Sequence, residues 1–194
     1  MRPSRSRFDL PPPPPGLPRR LRVWYAVIAA VVSAIATATV SRCPVTDAQG
    51  RPAWRVAMIN DGDTVTCIDT EGREVRVRLV GIDAPELDQP KGHEARAALA
   101  AKLAGGVVRV AGDARDQHGR LLGTLHLDDR DLNREMVAEG WAWAFTGFSE
   151  DDDLLAAESA ARRSGRGLWA DPRPMAPGQW RQLHPSHADR RSPH

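Results

Sequence analysis

The sequence predicts a mainly β domain with helices (α+β), in which five short strands form a small closed barrel. Three observations predict it. Segments in which apolar and polar residues alternate recur five times between residues 54 and 127. Asp61-Gly62 and Glu71-Gly72 separate the first three of them, as tight turns do. Helix-like segments come only after the third and the fifth strand, which favours helices packed on one barrel.

The strand boundaries follow from alternation and turn signals. The third predicted strand is the clearest example, because Val75, Val77 and Leu79 alternate with charged residues. We predict the five strands at Trp54–Ile59, Thr64–Ile68, Arg73–Ile82, Val107–Val110 and Leu121–Leu127.

Three helices are predicted from apolar periodicity and from start and stop signals. They are His93–Leu103, Leu132–Ala138 with Asp131 as its cap, and a helix that Ser149 caps and Gly165 ends. Acidic residues at the start of the last helix and arginines at its end favour the helix dipole. Five strands with helices in these places favour an OB-fold barrel plus three α-helices, and such barrels commonly bind oligonucleotides.

The N-terminal part differs in composition from the rest. Residues 1–22 are basic and proline-rich, and we expect them to be disordered. Residues 23–41 are uncharged and long enough to span a bilayer, and three arginines precede them on the side that stays in the cytoplasm. The length of this segment favours an uncleaved transmembrane signal-anchor, while a signal peptide cleaved near Ala36 or Ala38 remains open. Either way we expect the domain outside the cytoplasm, membrane-anchored at a bacterial cell envelope or secreted.

Charge is distributed unevenly along the chain. Seven of the 27 basic residues but one of the 25 acidic residues precede residue 43, so the remainder has 20 basic and 24 acidic residues. This acidic balance argues against a protein that attracts nucleic acid by a general positive field. The folded domain is predicted at residues 45–172, and the proline-rich residues 173–194 are expected to form a disordered tail.

The chain has two cysteines, Cys43 and Cys67. Cys67 alternates with Val65 in the second predicted strand, which favours a position in the core. A disulfide between the two cysteines would be compatible with export, and it remains open at this point.

Three short segments place carboxylates and arginines at strand ends and in loops. They are Asp61-Gly62-Asp63-Thr64, Arg78 to Glu86, and Asp116 to Arg120. Carboxylate oxygens suit hard cations such as Ca²⁺ or Mg²⁺, and guanidinium groups match phosphate oxygens. An acid, a metal and two arginines are groups that phosphodiester hydrolysis uses. Each segment also has a purely structural interpretation, as a hairpin turn, an Asp-x-Pro turn or a loop with a salt bridge.

Arg78 and Asp83 pose a geometric question. They are five residues apart, so in a straight strand their side chains point to opposite faces. They can share a cleft only if the chain bends between them, and we predict this bend at Gly81.

The order and spacing of the three segments resemble the active-site motifs of the staphylococcal nuclease (thermonuclease) family. The similarity runs from about Trp54 to Trp169. Outside the three segments it includes Gly92-His93-Glu94-Ala95 at the start of the first helix, Gly140-Trp141-Ala142 after the second, and the closing Gly165-Arg166-Gly167-Leu168-Trp169.

The resemblance implies a five-stranded OB barrel with three helices and a Ca²⁺ cofactor. By matching position, Asp63 and Asp83 would ligate the ion through their carboxylates, and Ala84 would do so through its backbone carbonyl. The family often has threonine at the last position, and because only the carbonyl is used, alanine should cost little.

The resemblance also implies the catalytic residues. Glu86 would act as general base on the attacking water, and Arg78 and Arg120 would bind the phosphate and stabilise the transition state. The expected reaction is calcium-dependent hydrolysis of the phosphodiester bonds of DNA and RNA with little sequence preference, by a monomer.

The sequence departs from the family where substrate would bind. Gln117 and His118 replace the lysine and tyrosine of well-known secreted members, and Phe145 and Phe148 lie where many members have tyrosines with basic residues between them. The rings that remain can still stack on bases or sugars, but the hydroxyls and cations are lost. We expect weaker and more metal-dependent substrate binding than in basic relatives.

Two other functions are open. One is a catalytically silent OB-fold module that binds nucleic acid or protein at the membrane. The chain has all five charged residues of the implied active site, which argues against this function: Asp63, Arg78, Asp83, Glu86 and Arg120. The other is an exported structural domain whose acidic cluster holds calcium for stability, which predicts calcium-dependent melting without cleavage.

Overall fold

The computed structural model describes Pro18 and residues 45–145, 147 and 151–185. The predicted membrane segment at residues 23–41, nearly all of the basic segment and Cys43 lie outside the described residues. Within the described part of the chain, no helix combines the length and the apolar character that crossing a bilayer requires.

Five strands close into a barrel, and three two-residue strands lie beside it. The strands are β1 (Trp54–Ile59), β2 (Thr64–Ile68), β3 (Glu74–Leu79), β4 (Ile82–Asp83), β5 (Val107–Ala111), β6 (Leu121–Leu127), β7 (Arg130–Asp131) and β8 (Trp143–Ala144). The barrel strands are hydrogen-bonded in the order β3-β2-β1-β5-β6, and a parallel pairing of β6 with β3 closes the ring. The predicted five-stranded OB-fold barrel is therefore confirmed.

The barrel interior is filled by the apolar residues of each alternating strand. Val65 lies opposite Val77, and Cys67 lies opposite Val75, across the β2–β3 pair. The predicted core position of Cys67 is confirmed: it is a fully buried free thiol, and burial raises the pKa of this thiol to about 12. The largest fully buried side chains of the core include Leu79, Ile82, Leu99, Leu125, Leu132 and Met136.

The third predicted strand is interrupted. β3 ends at Leu79, and after Val80 and Gly81 the chain continues as β4, which pairs with β8 instead of with the barrel. Gly81 has a φ of +75°, a left-handed conformation that favours glycine, and a Cβ there would lie 2.7 Å from Leu154 Cδ1. The predicted bend at Gly81 is present, and the prediction of one continuous strand to Ile82 is wrong.

The helices are α1 (Gly92–Lys102), α2 (Leu132–Ala138), α3 (Asp152–Arg163), a 3₁₀ helix (Gly167–Ala170) and α4 (Pro177–Leu183). Asp131 caps α2 as predicted, since its Oδ1 accepts the N–H of Arg134 at 3.0 Å. α3 is capped by Asp151, whose Oδ1 accepts the N–H groups of two residues in the first turn. The start of α3 was therefore predicted too early, and Ser149 lies outside the described residues.

The fourth helix, α4, falls in the segment predicted to be a disordered tail. Pro177 occupies its first turn, where the missing N–H costs nothing, and is buried. The Gln89 side chain donates to the Met175 carbonyl at 2.7 Å, and Arg181 forms ion pairs with two carboxylates. Because these contacts fix the segment, the prediction of disorder from residue 173 is wrong for residues 173–185.

Candidate active site

Asp63 lies in the turn between β1 and β2 and is almost completely buried. Its Oδ2 accepts the backbone N–H of Ala84 at 2.8 Å, and its Oδ1 accepts the Thr64 hydroxyl at 3.0 Å. The turn approaches Ala84 this closely because residue 62 is glycine, where a Cβ would lie 2.7 Å from the Ala84 Cβ. Burial raises the pKa of the Asp63 carboxyl, but Arg78 and the Ala84 N–H outweigh burial and hold it below its usual value.

Arg78 joins the two aspartates that the sequence marked as metal ligands. Its Nε lies 3.2 Å from Asp63 Oδ1, and its Nη2 lies 3.1 Å from Asp83 Oδ1. Its Nη1 donates to the carbonyls of Leu79 (2.7 Å) and Ile82 (2.8 Å), at the two sides of the Gly81 bend. Among the described residues, these contacts leave one Nη2 N–H of Arg78 for another acceptor. One guanidinium group thus holds both carboxylates.

Asp83 is the second buried carboxylate, at the end of β4. Burial raises the pKa of Asp83 above its usual value; the hydrogen bonds from Arg181 oppose that rise, and the nearby negative charge of Asp63 adds to it. The two buried carboxylates therefore share Arg78, and Asp83 has Arg181 as a second cationic partner.

Glu86 follows in the same segment and is also buried. The loop after it is tied back by reciprocal bonds, because the Gln89 side chain accepts the Glu86 N–H at 3.2 Å and the Gln89 N–H donates to the Glu86 carbonyl at 2.9 Å. A Cβ at Gly92 would lie 1.8 Å from the Glu86 carbonyl oxygen, so the start of α1 can pack here only as glycine. The backbone of Glu86, three residues after Asp83, is therefore held in a fixed place.

Arg181 of α4 contacts the site although no sequence motif predicted it there. Its Nη2 donates to Asp83 Oδ2 at 3.0 Å, while its Nη1 donates to Asp83 Oδ1 at 3.2 Å and to Glu86 Oε1 at 2.9 Å. The available signal was Pro177 followed by seven residues without a further proline, which is typical of a helix start. No local pattern indicates which surface such a helix meets.

Arg120 belongs to the turn Asp116–Arg120, which leads into β6. Its Nε donates to Asp116 Oδ2 at 2.7 Å. No other hydrogen bond to its guanidinium group is present among the described residues. Arg120 lines the same cleft, of about 130 Å³, as Arg78, Asp83, Arg181 and Phe145. The structure thus brings Arg120, Arg78 and Asp83 to one cleft, with Glu86 reached through Arg181.

The site is rich in oxygen donors, the ligands that hard metal ions take. Asp63, Asp83 and Glu86 supply three carboxylates, whose oxygens suit a hard cation. In the described residues no group of three or more His, Cys, Asp or Glu side chains is arranged to hold a metal ion, and here Arg181 takes both Asp83 oxygens. The chemistry of these oxygen donors, though not a preformed cage, suits a divalent cation.

A five-stranded OB barrel with buried carboxylates and arginines in one surface cleft defines the class: an OB-fold protein equipped for phosphate-ester chemistry. The family model described as staphylococcal nuclease homologue matches residues 76–171. A protein of Haemophilus influenzae described as an uncharacterized endonuclease is 39% identical over 128 residues, which cover 66% of this chain and 72% of that protein. Micrococcal nuclease of Shigella flexneri is 35% identical over 147 residues, or 68% of this chain and 84% of that protein. Protein ParB of Escherichia coli is 40% identical over 147 residues, or 68% and 82%. The chain belongs to the staphylococcal nuclease family.

Proposed function

We propose that this protein is a calcium-dependent nuclease that hydrolyses phosphodiester bonds of DNA and RNA with little sequence preference. One observation carries the proposal: Arg78 holds Asp63 and Asp83 from two separate segments, beside Glu86 and across a cleft from Arg120. Membership in a family of hydrolytic nucleases supports the reaction type.

Asp63 and Asp83 would hold the ion through their carboxylates, with the backbone carbonyl of Ala84. When bound, Ca²⁺ would neutralise charge that develops on the phosphate oxygens. Arg78 would keep both aspartates in place, and its remaining Nη2 N–H would be available to a phosphate oxygen.

Glu86 and Arg120 would perform the remaining steps. The Glu86 carboxylate would accept a proton from the water whose oxygen attacks phosphorus, while the bond from phosphorus to the leaving oxygen breaks. Arg120 has its Nε fixed by Asp116, so both of its Nη groups can donate to the phosphate as negative charge builds up. Burial of Glu86 would keep bulk water from competing for this position.

The proposal extends to how substrate binds and to where the protein acts. Phe145 lines the cleft and is exposed, so its ring can stack on a base or sugar without sequence preference. We propose weak, metal-dependent binding with a flat dependence on salt, because the domain is acidic. We also propose a monomer outside the cytoplasm, anchored by residues 23–41 or released by their cleavage.

The central test compares two glutamates in the full-length protein. Glu86→Gln should reduce cleavage of single-stranded DNA and of RNA in Ca²⁺ by about 10²–10⁴-fold, the usual contribution of a general base. Glu94→Gln is the matched control, because Glu94 is an exposed α1 residue paired with Lys91. A chelator should abolish cleavage by both the unmodified protein and the control.

Four results would contradict the proposal. Cleavage that persists in chelator would exclude the calcium requirement, and full activity of Glu86→Gln would exclude its role as base. A protein that melts at higher temperature in Ca²⁺ and cleaves nothing would be the structural calcium binder. A protein that binds oligonucleotides without cleaving them would be the catalytically silent OB-fold module.

A further inference from the structure

Arg181 binds two carboxylates on which the proposed reaction depends, those of Asp83 and Glu86. Both Asp83 oxygens accept hydrogen bonds from Arg181, and Glu86 Oε1 accepts a third. A guanidinium group therefore lies where a cation bound by Asp83 would need those oxygens. The same contact engages the carboxylate proposed to take a proton from water.

We propose that Arg181 is a further residue of the active site, an internal cation that competes with the divalent metal for Asp83. In this arrangement α4 has a docked state, in which Arg181 neutralises the carboxylates, and a released state, in which the metal does. The effect on activity rests on the proposed function. In the docked state Asp83 holds no metal and Glu86 is bound to Arg181, so this state does not cleave.

The charge balance supports this exchange. Asp63, Asp83 and Glu86 are each buried; Arg78 pairs with the two aspartates, and Arg181 pairs with Asp83 and Glu86. Burying uncompensated carboxylates is costly, so the site needs a second positive partner at all times. Arg181 and a divalent cation are alternative partners, since both require the Asp83 oxygens.

Burial contributes little to the attachment of α4. Pro177 is the one buried residue of this helix, and Leu183 is 64% exposed. The indole Nε1 of Trp180 is buried without a hydrogen-bond partner among the described residues, which disfavours the docked state. Apart from the Gln89 bond to the Met175 carbonyl, the ion pairs of Arg181 are the main polar attachment of this segment.

The test measures Ca²⁺ binding to the full-length protein by calorimetry, without nucleic acid. If most molecules are docked, Arg181→Ala should bind Ca²⁺ about 10-fold or more tightly than the unmodified protein, because the binding-competent fraction rises. Arg173→Ala is the control: it removes an exposed arginine four residues before α4 and should change the Kd less than about 2-fold.

Hydrogen exchange provides the second readout. In the unmodified protein, saturating Ca²⁺ should accelerate exchange of the α4 amides of Trp180 and His184, which donate within the helix segment. The competition is overturned if these amides keep their protection in saturating Ca²⁺, or if Arg181→Ala binds Ca²⁺ equally or more weakly. Failure of the proposed nuclease function looks different: the metal binds and α4 is released, but the protein does not cleave.

Discussion

Three turns of this protein, Asp47–Arg51, Asp69–Arg73 and Asp116–Arg120, have the same sequence pattern and the same hydrogen bonds, yet only the last lines the cleft. The last two each lead directly into a barrel strand. In Asp69–Arg73, which joins β2 to β3, Asp69 Oδ1 accepts the N–H groups of residues 71 and 73, and Oδ2 accepts Arg73 Nε at 2.7 Å. In Asp116–Arg120, Asp116 accepts the corresponding N–H groups and Arg120 Nε, also at 2.7 Å. Each of these two turns has a left-handed glycine at its fourth position, Gly72 or Gly119. The pattern Asp-x-x-Gly-Arg therefore encodes a turn.

The two turns differ in what surrounds the arginine. Arg73 Nη1 is paired with Glu71 at 2.8 Å, and its side chain is 65% exposed. Arg120 is 17% exposed, and its Nη groups bind no other described residue. The parallel pairing of β3 with β6 places Arg78 opposite Leu122, two residues after Arg120. Arg73 instead precedes the other end of β3. At 3.3 Å per residue it lies about 16 Å from Arg78. Location in the barrel, and not turn chemistry, makes Arg120 a candidate for catalysis.

The largest expected effect separates the two arginines. Arg120→Ala should lower kcat/KM for single-stranded DNA in Ca²⁺ by about 10²–10³-fold, because a donor to the developing phosphate charge is lost. Arg73→Ala removes the same turn salt bridge away from the cleft and should leave kcat/KM within about 2-fold, since an exposed pair contributes little. The two variants are assayed at temperatures equally far below their melting temperatures. Equal losses of kcat/KM would then show that the turns matter only for folding.

The second effect concerns orientation. Asp116→Asn keeps an acceptor oxygen for the turn but removes the charged partner of Arg120 Nε, so the guanidinium group loses its fixed direction. We expect about a 10- to 100-fold fall in kcat/KM, the usual consequence of misplacing a catalytic group. Asp69→Asn should leave kcat/KM unchanged. If Asp116→Asn cleaves normally, Arg120 does not need this support.

Much of the fold was predictable because its signals are local. The alternation of Val75, Val77 and Leu79 marks β3, and Asp131 caps α2 where the sequence places it. The bend at Gly81 was also predictable, since Arg78 and Asp83 cannot otherwise share a cleft. The boundary error at β3 arises because a tertiary contact, the β4–β8 pairing, decides where the strand ends. The error at α3 is local, since the Asp151 side chain caps the helix.

The site was predictable only in part, and for the same physical reason. Asp63, Asp83 and Glu86 belong to motifs with a fixed order along the chain. Arg181 reaches them across 95 and 98 residues, and its ion pairs depend on where α4 docks. Because the tail is rich in proline, its composition indicated disorder, while the contacts that order it are not encoded locally.

The glycines of the two turns give a smaller, shared effect on stability. Gly72 has a φ of +80° and Gly119 one of +73°, and a Cβ at either would meet open space. Gly72→Ala and Gly119→Ala should therefore each lower the free energy of unfolding by about 1 kcal/mol through backbone strain alone. Urea denaturation measures this directly. A loss confined to one variant would mean that the two turns are not equivalent in the folded protein.

The smallest expected effect is a shared pH dependence. Burial raises the pKa of both Asp69 and Asp116, but hydrogen bonds from the turn and its arginine outweigh burial and hold each below the usual 3.8. A carboxyl whose pKa is lowered in the folded state stabilises the protein at pH values above its usual pKa. This contribution is lost as pH falls through the lowered pKa. The free energy of unfolding of the unmodified protein should therefore exceed that of Asp69→Asn or Asp116→Asn at neutral pH, and the difference should shrink below about pH 4 for both. A difference that persists unchanged at pH 3 for one variant would show that its aspartate acts through something other than its charge, and the two turns would then share a sequence pattern without sharing their energetics.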